Sequence, residues 1–157
     1  MEESYLGQFD KIHSLISEAA AGVIDQVLQS TTEPVFDQID FQSEIMVRID
    51  FRSKFAGKFW FIFDKPFCYE IATGFSGMSR EELDDDMLLD TVKEICNMMS
   101  SSILLKFDSK GNFKATVPEV FTGDQVLDQV FQLPDTAHYF CFKVGDKVFK
   151  IILFLTY

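Results

Sequence analysis

Two stretches of this chain are so apolar that few places in a fold can hold them. Lys58-Phe59-Trp60-Phe61-Ile62-Phe63 and Val148-Phe149-Lys150-Ile151-Ile152-Leu153-Phe154-Leu155 carry the aromatic and β-branched residues of strands with hardly any polar alternation. A strand of that kind is covered on both faces or lies inside a sheet. The second stretch is too apolar for an exposed edge, so it is either central in the sheet or covered by a second subunit. Eighteen Phe residues point the same way, to a core built from large rings.

The neighbouring segments supply the rest of a sheet. From about Glu44 to Phe55, Ile45, Val47, Ile49 and Phe51 alternate with Met46, Arg48, Asp50 and Arg52, the period of a strand with two unlike faces. Gly57 marks a tight turn before the first apolar run. Gly145-Asp146 joins Ala137–Val144 to Lys147–Tyr157 as a two-residue hairpin signal. Ser109-Lys110-Gly111-Asn112 reads as a turn, Phe113–Val117 as a short strand closed by Pro118, and Glu119–Asp124 as a connector. Gln125–Gln132 has room for one or two helical turns.

Helical periodicity occupies the remainder. Between about Tyr5 and Gln29, Leu6, Phe9, Ile12, Ile16, Ala20, Val23 and Val27 form one apolar face, and Ser30-Thr31-Thr32-Glu33-Pro34 breaks it. Pro66 suits the first turn of a short helix that runs to about Phe75 and is terminated by Gly74 and Gly77. The expected architecture is a single α+β domain over residues 1–157, a largely antiparallel sheet with long helices packed on one face.

Charge and motif content narrow the function classes. A net charge of −11 makes nucleic acid a poor partner. No apolar run approaches the roughly 18–20 residues that cross a bilayer. Met1-Glu2-Glu3-Ser4 lacks the basic, then apolar, pattern of a signal peptide, so a cytoplasmic location is expected. Cys68, Cys96 and Cys141 are odd in number and widely spaced, which argues against a disulfide framework. His13 and His138 have no metal-ligand spacing to Cys or carboxylate. Phosphate-binding and dinucleotide glycine motifs and the G-x-S-x-G elbow are missing.

One helix carries candidate chemistry. At 100° per residue, Leu88, Val92, Ile95, Met99 and Ile103 fall within about 80° of one another as a buried stripe. Asp90, Glu94, Asn97 and Ser101 fall within roughly 60° on the opposite side. Glu94 and Asn97 therefore point the same way. Asn is a mediocre helix former with no structural task in mid-helix. The acidic residues ahead of it, Glu81, Glu82, Asp84, Asp85 and Asp86, complement the positive end of the helix dipole, and one Asp can cap it. Leu104 shares the polar arc, with Met98 and Leu105 at its border, an apolar rim of the kind a docking surface shows.

With these residues in place, the chain resembles the CheC/CheX/FliY family of chemotaxis phosphatases, its CheX members most closely. The family signature Asp/Ser-x-x-x-Glu-x-x-Asn is met by Asp90, Glu94 and Asn97. Gly57-Lys58-Phe59, the helix after Pro66 and Phe75-Ser76-Gly77-Met78 precede it in the family's order. Val117-Pro118-Glu119-Val120-Phe121-Thr122-Gly123 follows, similar to the Pro-x-Val-x-x-Gly connector. The family commonly has Gly directly before the Asn and again four residues after it; here these are Cys96 and Ser101. CheC-type members carry a second Glu-x-x-Asn on the first helix, but Glu18-Ala19-Ala20-Ala21 keeps only the Glu, leaving one site per chain.

The resemblance implies hydrolysis of the aspartyl phosphate on a CheY-like response-regulator receiver. Asn97 would orient the attacking water, Glu94 would engage the receiver's active-site Lys, and Asp90 would support them. It implies no cofactor of the chain's own, since Mg²⁺ is expected on the receiver. It also implies a homodimer, compatible with an apolar terminal strand that pairs across a subunit boundary. The other reading is a receiver-binding or dimerisation adaptor of the same fold without hydrolysis.

Overall fold

The computed structural model describes residues 2–35 and 43–156, the side chains of residues 2–9 aside. In chain order the elements are α1 (Glu2–Leu28), β1 (Thr32–Val35), β2 (Ile45–Arg52), β3 (Ala56–Phe63), α2 (Lys65–Ser76), a 3₁₀ turn (Arg80–Glu82) and α3 (Asp85–Phe107). β4 (Lys114–Ala115), β5 (Glu119–Thr122), α4 (Asp124–Phe131), β6 (His138–Val144) and β7 (Lys147–Thr156) follow. The strands make one seven-stranded sheet in the order β1-β6-β7-β3-β2-β4, with β5 also paired to β2. Every pairing is antiparallel.

The two apolar runs lie side by side at the centre. β7 sits between β6 and β3, and Phe61 faces Ile151 across that pairing. The apolar terminal strand is thus covered within its own chain, and pairing across a subunit boundary is not what buries it. Tyr157, the last residue of the predicted strand, lies outside the described residues.

Strand alternation sends Phe59, Phe61, Phe63, Phe149, Ile151 and Leu153 toward α1, α2 and α3, where they form one buried cluster with Ile16, Ile71, Val92 and Met99. Phe149 is its hub: its ring stacks on Phe142 at 4.9 Å, Phe67 at 5.4 Å and Phe63 at 5.9 Å. The predicted α1 face is buried at Ile16, Ala20 and Val23, whereas the side chains of Leu6 and Phe9 lie outside the described residues. The long helices share one face, as expected for an α+β layer. The opposite face carries a smaller cluster, Met46, Trp60, Ile62, Ile152 and Val126, the last supplied by α4.

Four local readings need correction. Ser30–Pro34 does more than break a helix, because Thr32–Val35 pairs with β6 as an edge strand; Pro34 is tolerated at an edge, where its missing N–H costs no ladder bond. The Glu119–Asp124 connector likewise contains β5, whose Glu119 meets Arg48 of β2 through a 2.6 Å ion pair. Gly57 lies inside β3, and the turn falls at residues 53–55, where Ser53 N–H donates to the Phe55 carbonyl. A Cβ at Gly57 would collide with the Phe154 carbonyl and come within 2.6 Å of Phe51 Cζ, so this glycine serves close approach. Gly74 is inside α2, and only Gly77, at φ 71°, ends the helix.

Candidate functional site

α3 begins where its sequence says it must. The Asp84 carboxylate accepts from Met87 N–H at 2.8 Å, and Asp85 and Asp86 occupy the first turn, where the exposed N–H groups favour negative charge. Leu88, Val92, Ile95, Met99 and Ile103 are all buried. That anchors the rotation of the helix and turns Asp90 and Glu94 outward, both exposed.

Asn97 is half-buried and sits at the margin of the outward arc. Laid out at 100° per residue, the solvent-facing arc runs from Asn97 through Asp90, Ser101 and Glu94 to Leu105. Beyond Asn97, on its other side, Leu104, Ser100 and Cys96 are buried, with half-buried Lys93 between them. Leu104, expected on the exposed rim, is only 1% exposed and belongs to the main core. Leu105 does stand out at 47%, and Met98 is half-buried against the core. Packing against the other long helices thus narrows the polar face and leaves Asn97 at its edge.

The carboxylate of Glu94 and the carboxamide of Asn97 have no hydrogen-bond or ion-pair partner among the described residues. The Asn97 main-chain carbonyl, by contrast, accepts from the Ser100 hydroxyl at 3.0 Å. Asp90 is engaged: its Oδ1 lies 3.2 Å from Nζ of Lys93. Lys93 was not among the sequence candidates, although opposite charges three residues apart on a helix signal such a pair.

Cys96, next to Asn97, is not a nucleophile in waiting. It is fully buried, and burial, seconded by nearby Cys68 of α2, pushes its thiol well above the usual range. Cys68 is raised too, chiefly by burial and then by Asp64 and Glu44. His13, packed on the Phe140 ring at 5.1 Å, is shifted down by burial against the opposing pull of Asp10. Among the described residues no group of three His, Cys, Asp or Glu side chains is disposed to hold a metal. No helix there is long and apolar enough to cross a membrane.

The site is therefore an acid and an amide on the convex outer surface of a helix. It can hydrogen-bond to and orient a group brought to it.

A family model described as chemotaxis phosphatase CheX matches residues 45–142. No curated protein matches the chain. Among solved structures, the chain is similar to a chemotaxis protein CheX from Desulfovibrio desulfuricans, at TM-score 0.72 and 16% identity over 93% of this chain and 99% of that one. It is similar to the CheX–CheY–BeF3–Mg²⁺ complex from Borrelia burgdorferi, at TM-score 0.71 and 16% identity over 92% of this chain and 97% of that one. It also matches FliY from Thermotoga maritima, at TM-score 0.62 and 19% identity over 91% of this chain and 87% of that one. At these identities the likeness is one of fold.

Proposed function

The chain belongs to the chemotaxis phosphatase CheX family, and on that premise we propose that it accelerates hydrolysis of the aspartyl phosphate on a CheY-like receiver domain in the cytoplasm. The observation that carries this reading is the pair itself: Glu94 and Asn97 one turn apart on α3, neither side chain with a hydrogen-bond or ion-pair partner among the described residues. The Borrelia structure, a CheX–CheY complex of the same fold, supports a receiver as the partner.

The chemistry asked of the chain is small. An acyl phosphate is already reactive, and the receiver brings its own Mg²⁺ and lysine. What is left is to hold a water in line with phosphorus, which suits an amide that both donates and accepts hydrogen bonds. Asn97 does this. Glu94 makes a charge-assisted bond to the receiver's lysine and sets the docking register. The chain needs no metal or cofactor of its own for either task.

The test is loss of phosphate from a panel of phosphorylated receivers with and without the protein. Acceleration of at least one is the expected result, and saturable binding without acceleration would favour the adaptor. Glu94→Gln is expected to raise KM by roughly ten-fold with kcat within about threefold, because a charge-assisted docking bond is lost while Asn97 stays in place. An unchanged KM would remove Glu94 from the interface.

We further propose a homodimer, with α4 rather than the terminal strand at its contact. Leu127 and Phe131 lie one turn apart on α4, and Phe131 is 86% exposed. Sedimentation at roughly 50 μM is expected to give twice the chain mass, and Phe131→Asp to give a folded monomer. A monomeric wild-type protein overturns this part.

A further inference from the structure

Lys93 is the one cation of α3 before its last turn, and its ammonium lies 3.2 Å from Asp90, three residues back. Four residues forward stands Asn97. Side chains three and four apart on a helix are neighbours, so the lysine can turn to either of two polar groups of its own helix, a carboxylate behind it or a carboxamide ahead. The remaining neighbours at that spacing offer it nothing: Leu89 is half-buried and apolar, and Cys96 is fully buried.

An ammonium carries three donors and no acceptor. Turned forward, it would bond the carboxamide oxygen of Asn97, occupy one of the atoms that water must use and rotate the amide to suit itself. The Asp90 carboxylate competes for the same ammonium with a charge-assisted bond, which a neutral amide cannot match. The bridge is well exposed, with the Asp90 side chain 75% accessible, and such pairs contribute little to folding. Its consequence lies in where it parks the lysine.

We propose that Asp90 is a positioning residue that holds the Lys93 ammonium back along α3 and so keeps the Asn97 carboxamide free. The inference rests on the reading of Asn97 as the group that orients water. It gives the first position of the Asp90-x-x-x-Glu94-x-x-Asn97 pattern a physical task in this chain: Asp90 need never touch the receiver.

The test is a rescue. Steady-state dephosphorylation of one phosphorylated receiver is measured for the full-length wild type, Asp90→Asn, Lys93→Met and the double variant. Asp90→Asn is expected to lower kcat by about twofold with KM little changed, because Lys93 then divides between two neutral carboxamides, at positions 90 and 97. Lys93→Met alone stays near wild type, and adding it to Asp90→Asn restores kcat. A second readout does not depend on turnover: the side-chain amide NMR resonance of Asn97 shifts in Asp90→Asn and returns in the double variant. Asp90→Asn at full activity, or a deficit that Lys93→Met leaves in place, overturns the proposal. Asn97→Ala, run alongside, separates the two claims. If it is inactive while rescue fails, only the role of Asp90 falls; if it is fully active, the reading of Asn97 falls first.

Discussion

Asn97→Ala is expected to abolish most of the acceleration of receiver dephosphorylation while leaving the fold as stable as before or slightly more so. The two halves of that result have separate causes. Removing a single group that orients or stabilises the reacting atoms typically lowers a rate by about 10²–10³-fold, or roughly 2.7–4 kcal/mol of barrier. The receiver's own slow hydrolysis sets the floor. In the folded chain, the carboxamide of Asn97 has no hydrogen-bond or ion-pair partner among the described residues, so the substitution breaks no polar contact there. Ala is the better helix former by up to about 0.7 kcal/mol in mid-helix. A loss of activity with an unchanged or raised melting temperature is the signature of a residue kept for chemistry at the expense of its helix. Acceleration retained within about twofold would remove Asn97 from the mechanism. A melting temperature lowered by several degrees would show that it serves the packing of α3.

Phe149→Ala is expected to be the most damaging single change in the core. The ring is fully buried and stacks on three others, Phe63, Phe67 and Phe142, so one substitution takes a stacking partner from a β3 ring, an α2 ring and a β6 ring together. Buried Phe→Ala changes cost about 3–5 kcal/mol, and ring pairs carry about 0.5–1.5 kcal/mol each beyond area. Against a total stability of roughly 5–15 kcal/mol for a domain, that brings the protein near its threshold. At a urea slope of about 2 kcal/mol per molar, the unfolding midpoint should fall by roughly 1.5–2.5 M. A fall below about 0.5 M would mean that the stacked rings are not what joins the sheet to α2. Phe131→Ala, measured at a dilution where the protein is monomeric, offers the contrast within the same residue type: its ring is largely exposed in the single chain, and its removal should move the midpoint little.

Much of the site was legible before any coordinates. The rotation of α3 follows from five apolar residues at helical spacing, and those five are buried as expected. That one Asp of the acidic run would cap α3, and that a glycine near residue 77 would end α2, was readable because capping is chemistry between residues three or four apart; the structure picks Asp84 and Gly77. The hairpin at Gly145-Asp146 was readable for a similar reason: a tight turn needs a particular dihedral, met here at φ 59°. The strand pairs at the margins were not. Thr32–Val35 and Glu119–Thr122 are short and have little apolar alternation, and they become strands only because β6 and β2 offer them unpaired backbone.

By itself, then, the sequence determined the class of fold, the course of each long element and the outward direction of Asp90 and Glu94, because each depends on residues a few positions apart. Only the tertiary structure decided that the second apolar run is central in its own sheet, that Gly57 is a point of close approach to β7 and that Leu104 is sealed while Leu105 is not. It also decided that Asn97 stands at the edge of the outward arc and not at its middle. Those outcomes depend on what packs against a residue, and the packing partners, α1 and β7 above all, come from distant parts of the chain.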